Sequence, residues 1–155
     1  MMTKMNKVHW ILQLQPHEWP EGVLEHMDPA VLNAAVNLRL ESSVPMTPSP
    51  LYGAHVRTEG NSRHSTKGGT RLADATDFFI PSHAASIIRI LQAAQRMPEI
   101  GGIGLYFDTR PSVMMHIDCR PERLEWVRIG GQYIYLNKDA AMYYAEIAAQ
   151  LEKLR

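Results

Sequence analysis

Cysteine is all but absent from this chain. Cys119 is the single one in 155 residues, so no disulfide can form within the molecule. Set between Asp118 and Arg120, it reads as a packed residue rather than a reactive thiol. Net charge is absent as well: 16 Lys and Arg balance 16 Asp and Glu. That leaves no electrostatic case for a nucleic acid or an anionic membrane surface as partner. Long apolar runs are also missing, and no segment approaches the ~20 residues of a membrane span. Met1 to Lys7 is basic, but the apolar run from Val8 to Leu14 contains His9 and Gln13 and leads into Gln15-Pro16-His17-Glu18. It is too short and too polar for a secretory core, so no signal peptide is expected and synthesis is expected to be cytoplasmic. There is no internal repeat and no low-complexity tract.

The length suits one domain over 1–155, large enough to bury its own core. Asp28 followed by Pro29 is a helix start, and Val31, Leu32, Ala35, Val36 and Leu38 give a helical stripe to about Ser42. Pro45, Pro48 and Pro50 end it and lead into Tyr52 to Arg57, which reads as a strand. Thr58 to Arg71 is rich in Gly, Ser, Thr and Asn and reads as a loop. A short strand is expected over Asp74 to Ile80. Ser82 then caps a helix with Ala84, Ile87, Ile88, Leu91 and Ala94 on its apolar side, and Pro98 stands past its end. Strands follow at Ile103 to Phe107, Val113 to Cys119 and Leu124 to Ile129. The last pairs with Gln132 to Leu136 across Gly130-Gly131, a two-residue hairpin signal. Asn137 caps a final helix carrying Ala141, Tyr144, Ile147 or Ala148, Leu151 and Leu154 on one side. The expected fold is α+β, a mainly antiparallel sheet flanked by helices.

The chemistry-bearing residues fall in three short segments: Ser62-Arg63-His64, Ala75-Thr76-Asp77, and Met115-His116-Ile117-Asp118-Cys119-Arg120. Two histidines and a carboxylate are what a zinc site needs when its fourth position is left open for water. In the third segment His116, Asp118 and Arg120 alternate with Met115, Ile117 and Cys119, so on a strand the three polar side chains share one face. The plainer reading is a half-buried strand with a solvated polar face. His9, His17, His26 and His83 have no carboxylate at metal spacing and read as surface or packing residues. Trp10, Trp19 and Trp126 read as core or interface, and the Met114-Met115 pair as core.

These segments resemble the zinc D-alanyl-D-alanine peptidase and murein endopeptidase family, whose metal site is shared with lysostaphin-type enzymes and hedgehog. The family pattern Ser-x-His-x-x-Gly-x-Ala-x-Asp, a Gly-rich strand and a final His-x-Asp is echoed by Ser62-x-His64, Gly68-Gly69, Ala75-x-Asp77, Gly101-Gly102-Ile103-Gly104-Leu105-Tyr106 and His116-x-Asp118-x-Arg120. The likeness runs over about residues 28 to 136 and is nearest to small phage- or bacterium-encoded members. It implies a hedgehog/D-Ala-D-Ala-peptidase-like fold, Zn²⁺ held by His64, Asp77 and His116, and cleavage of an amide bond in peptidoglycan peptide. Action on the wall would follow release of the protein or come as part of a phage particle.

Two departures bear on the roles. More than the family's six residues separate His64 from Asp77, which makes Asp74 a competing ligand. Val113 stands where several relatives carry an acidic residue, which leaves Asp118 as the nearest general base, or Asp108 from the preceding loop. On this reading Asp118 takes a proton from water and passes it to the leaving amine. Arg57 stabilises the oxyanion. Arg57 or Arg120 holds a substrate carboxylate, and His55, on the strand with Arg57, contacts substrate. Strand geometry also allows His116 and Asp118 to exchange roles. Two rivals stand beside this reading: a non-catalytic binding or structural module with a metal-like site, and a zinc-free α+β domain.

Overall fold

The computed structural model describes residues 14–155; the expectations for Met1 to Lys7, His9, Trp10 and most of the apolar run from Val8 lie outside the described residues. Three helices, α1 (Pro29–Ser42), α2 (Ala84–Arg96) and α3 (Ala140–Lys153), accompany six strands. These are β1 (Thr47–Pro48), β2 (Ala75–Phe79), β3 (Gly102–Tyr106), β4 (Met114–Asp118), β5 (Leu124–Ile129) and β6 (Gln132–Tyr135). They form one sheet in the order β1-β2-β4-β3-β5-β6. Every neighbouring pair is antiparallel except β3 and β5. The exception follows from the path: β5 runs opposite to β4 but docks on the far side of β3. The fold is therefore α+β with a mixed, mainly antiparallel sheet. No described helix is long and apolar enough to cross a membrane.

Alternation along the strands gives the sheet two unlike faces. Phe78, Met115, Ile117, Ile103, Leu105, Val127 and Ile134 belong to the main apolar core, together with residues of all three helices such as Val31, Leu38, Ile87, Ile90 and Tyr143. On the opposite face the register aligns residues in rows across the strands. Asp77 pairs with His116, His116 with Gly104, and Gly104 with Trp126. Two residues along, Phe79 pairs with Met114, Met114 with Tyr106, Tyr106 with Arg128, and Arg128 with Tyr133. The segment from residue 49 to residue 74 folds over part of this face and brings His64 to it.

Local signals explain most boundaries. Asp28 caps α1, its carboxylate accepting from the Ala30 N–H at 2.9 Å, a contact worth about 0.5–2 kcal/mol. Gly130 and Gly131 both take positive φ, 55° and 78°, which a tight β5–β6 turn requires and glycine supplies without steric cost.

Several expectations are corrected. Tyr52 to Arg57 is not a strand: Tyr52–Ala54 is a 3-10 turn, and Arg57 makes only an isolated parallel bridge with Ser65. Ser82 does not cap α2; His83 occupies that position, and the Ser82 hydroxyl accepts from the Val113 N–H instead. Asp139, not Asn137, caps α3, accepting from the Met142 N–H at 3.0 Å. On α2 Ile90 is buried and Ile88 is 41% exposed; on α3 Tyr143 is buried and Tyr144 is 59% exposed. Ile87 and Ala94 on α2 and Ile147 on α3 are buried as expected, and Leu91, Leu151 and Leu154 pack against the core, so only part of each stripe is displaced. The two-residue strand β1 carried no sequence signal, because Pro45, Pro48 and Pro50 read only as helix breakers.

Candidate metal centre

Three side chains from three segments converge on the open face. Asp77 comes from β2 and His116 from β4, directly opposite in register. His64 comes from the covering loop. The loop holds it without regular secondary structure. The Arg57 N–H donates to the His64 carbonyl at 2.8 Å, and the Thr66 N–H donates to the Arg57 carbonyl at 2.7 Å. The Arg71 guanidinium donates to the carbonyls of Ser65 and Ser62 at 2.7 and 2.8 Å. All three converging residues are buried.

Their facing atoms form a small triangle. His64 Nε2 lies 3.2 Å from His116 Nδ1 and 3.4 Å from Asp77 Oδ1, and His116 Nδ1 lies 2.9 Å from Asp77 Oδ1. Ligand atoms at 2.0–2.1 Å from a tetrahedral ion stand about 3.3–3.4 Å apart. The triangle is thus close to three edges of such a tetrahedron.

The hydrogen bonds on the far sides of the rings make all three atoms acceptors. His64 Nδ1 donates to the His55 carbonyl at 3.3 Å, which leaves a lone pair on Nε2. His116 Nε2 donates to Asp118 Oδ2 at 2.8 Å, which leaves one on Nδ1. Two imidazole nitrogens and a carboxylate oxygen that face one another are reconciled by a proton on His116 Nδ1 shared with Asp77 or by a metal cation, and His, His and Asp can together hold a metal ion.

Charge at the cluster follows from these contacts. Burial pushes the Asp77 carboxyl up, but His116 and His64 outweigh it and hold the group well below the usual carboxylate range. Burial lowers His116, yet its hydrogen bonds to Asp118 and Asp77 prevail and push it up to about 9. Without a metal, a proton on His116 supplies the positive charge.

Asp118 is placed differently from the base expected at this position. It is 0% exposed and sits behind the imidazole, not at the triangle. Besides His116, it accepts from the Gly102 N–H at 3.0 Å and the Arg120 N–H at 3.1 Å. The Arg120 guanidinium grips both its oxygens, Nε to Oδ1 at 2.8 Å and the terminal nitrogen to Oδ2 at 2.6 Å. Burial raises its pKa, but His116 and Arg120 more than offset that and keep it ionised. The proton-transfer role is therefore corrected to one of fixing the His116 tautomer and ring orientation. An exchange of ligand roles between His116 and Asp118 is corrected on the same ground.

The remaining expected residues divide. Asp74 pairs with the Arg63 guanidinium and is not in the cluster. His55 is fully buried, donating from Nε2 to the Ser49 carbonyl and accepting at Nδ1 from the Thr76 hydroxyl, both at 2.8 Å. It packs edge-on against Trp19, and burial lowers its pKa. The substrate contact expected of it is corrected to support of His64 through its backbone. Arg120 borders the cleft with its Nε and one terminal nitrogen engaged by Asp118. Asp108 is paired with Arg128. Arg57 lines the cleft with its Nε donating to the Gly53 carbonyl at 2.8 Å. Cys119 is half-buried, its thiol pushed up to about 11 by burial.

The triangle opens into a cleft of about 350 Å³. Tyr106, Met114, Trp126, Arg128 and Tyr133 also line it, and sequence reasoning gave none of them a site role. The signal lay in β3. A side-chain carbon at Gly104 would come within 2.6 Å of the Trp126 indole, and one at Gly102 within 2.2 Å of the Asp118 carboxylate. Gly104 thus clears space for Trp126 to reach across β3 and pack on the His116 ring at 5.0 Å, and Gly102 for the Asp118 carboxylate. Trp126 Nε1 in turn donates to the Tyr106 hydroxyl at 3.2 Å. Ser62 Oγ, buried at the cleft, has no hydrogen-bond partner among the described residues.

No family model, curated protein or solved structure matches the chain.

Proposed function

We propose that the chain is a zinc-dependent peptidase that hydrolyses an amide bond in peptidoglycan peptide. The observation that carries the reading is the acceptor triangle of His64, Asp77 and His116, with edges of 2.9 to 3.4 Å and one side open to a cleft. Two imidazoles and a carboxylate suit zinc in its three-ligand catalytic form. Bound zinc supplies a Lewis acid and brings the pKa of a coordinated water toward roughly 7.

The protein's part is positioning and charge. Asp118 and Arg120 hold His116 in one tautomer, and the His55 carbonyl does the same for His64. Three cleft arginines are neutralised by aspartates: Arg63 by Asp74, Arg120 by Asp118 and Arg128 by Asp108. Among the described residues Arg57 is the cleft arginine without a carboxylate partner, so it is the group available to meet an oxyanion or a substrate carboxylate. The unpartnered Ser62 hydroxyl offers a polar contact that a ligand would satisfy. The peptidoglycan substrate, and kinship with the zinc D-Ala-D-Ala peptidase and murein endopeptidase family and its fold, rest on the Ser62-x-His64, Ala75-x-Asp77 and His116-x-Asp118 segments.

One observation favours a second reading. Among the described residues, no carboxylate besides Asp77 lines the cleft, so the base removed from Asp118 has no evident replacement. A binding module that uses the metal to grip wall peptide, without cutting it, fits that deficit. Metal analysis with murein digestion and mass spectrometry of the products separates the readings. The peptidase releases peptides in a zinc-dependent way, and His116→Ala abolishes release. Zinc-loaded protein that binds murein and releases nothing is the binding module. Protein that takes up no zinc is neither.

A further inference from the structure

We infer that the substrate runs across the metal centre and continues on both sides, so that the site acts within an extended peptide rather than at its end. This rests on the peptidase reading. The metal cleft is one of two depressions joined at a waist. A second, of about 580 Å³, lies toward β1 and β2, and Arg57, Asp77 and Met114 border both. The second lobe is apolar in character, carrying Leu51, Tyr52 and Phe79. Leu51 is 70% exposed and Tyr52 43%.

The register gives the path. Phe79, Met114, Tyr106, Arg128 and Tyr133 lie in one row across five strands, beside the row that holds Asp77 and His116. A chain laid along these rows passes the metal triangle midway, with apolar surface on one side and an aromatic, hydrogen-bonding lobe on the other. A site for a terminal residue needs an unpaired cation at its closed end to receive the carboxylate. In the metal lobe the arginine without a carboxylate partner, Arg57, stands at the waist, and Arg110, which borders the second lobe, is exposed to solvent rather than set at a closed end. At the far end of the metal lobe Arg128 is already neutralised by Asp108.

The test uses the zinc-loaded full chain and two probes: a monomeric stem peptide ending in D-Ala-D-Ala, and the dimer cross-linked through D-Ala. Internal cleavage of the dimer is expected, with no release of free D-Ala from the monomer. Leu51→Asp is expected to lower kcat/KM for the dimer about tenfold, the scale of one buried leucine contact. Release of terminal D-Ala as the main product, or an unchanged kcat/KM for the dimer in Leu51→Asp, overturns the inference. If neither probe is cut, the peptidase reading fails and calorimetric titration decides the two-sided cleft on its own. Tighter binding of the dimer than of the monomer, with the advantage lost in Leu51→Asp, upholds it; equal affinities overturn it.

Discussion

The two faces of the sheet are made by the same strands and obey opposite rules. On the helix-covered face Met115 and Ile117 are fully buried among other apolar side chains, where shape and volume decide stability. On the other face their neighbours in sequence, His116 and Asp118, are as deeply buried but carry charge, and each is held by named partners. Burying a charge is tolerated only when it is paired and hydrogen-bonded. The core face therefore accepts any well-fitting apolar residue, whereas the site face depends on each partner being present.

Variants on the two faces should separate these rules most sharply. His64→Ala is expected to abolish metal binding while the protein still folds, since the core face is untouched. Met115→Ala is expected to cost about 2–5 kcal/mol of stability, as deletion of a buried methionine does, while the folded fraction keeps its metal. Metal analysis beside denaturant unfolding reads both. Metal loss in Met115→Ala with His64→Ala still loaded would erase the distinction.

The charged face should respond to pH. In the metal-free protein His116 is raised to about 9 from an ordinary 6.5, so the stability it contributes is full below pH 6.5 and is lost as pH rises through 9. Asp77 and Asp118 are held below their ordinary 3.8, so their contribution is present above that pH and is lost as pH falls further. Unfolding of the metal-free chain should thus be hardest between these limits. Zinc must displace the His116 proton, so its affinity should climb about tenfold per pH unit up to pH 9 and then level off. A flat zinc affinity across this window would remove His116 Nδ1 from the ligand set.

The smallest expected effect concerns the residue behind the ligand. Asp118→Asn should weaken zinc binding by about 10–100-fold without abolishing it, as loss of a carboxylate behind a ligating histidine does. Complete loss, to the level of His64→Ala, would make Asp118 a ligand; an unchanged affinity would leave its contact with His116 without consequence for the metal.

How much was legible in the sequence follows the same division. Strict alternation from Met115 to Arg120 announced one polar and one apolar face, and His64, Asp77 and His116 lie together in the fold. The role of Asp118 was not legible, because alternation places it on the correct face without saying on which side of the His116 ring it stands. That is settled by Arg120 and Gly102, through contacts no spacing reveals. The glycines of β3 were visible as a motif, but their reason, the indole of Trp126 leaning over Gly104, depends on a β3–β5 pairing that only the folded sheet supplies. His55 was misplaced for a related cause: Tyr52 to Arg57 has a strand-like composition, yet the chain turns at Tyr52–Ala54 and carries the imidazole inward.

X-ray absorption at the zinc edge, on the complex with one zinc per chain, tests the central claim most directly. The account predicts a shell of nitrogen and oxygen only, at about 2.0–2.1 Å, with outer-shell scattering from two imidazoles that falls to one in any metal retained by His64→Ala. A sulfur scatterer at about 2.3 Å, which Cys119 alone among cysteines would supply, or a shell unchanged by His64→Ala, would contradict it.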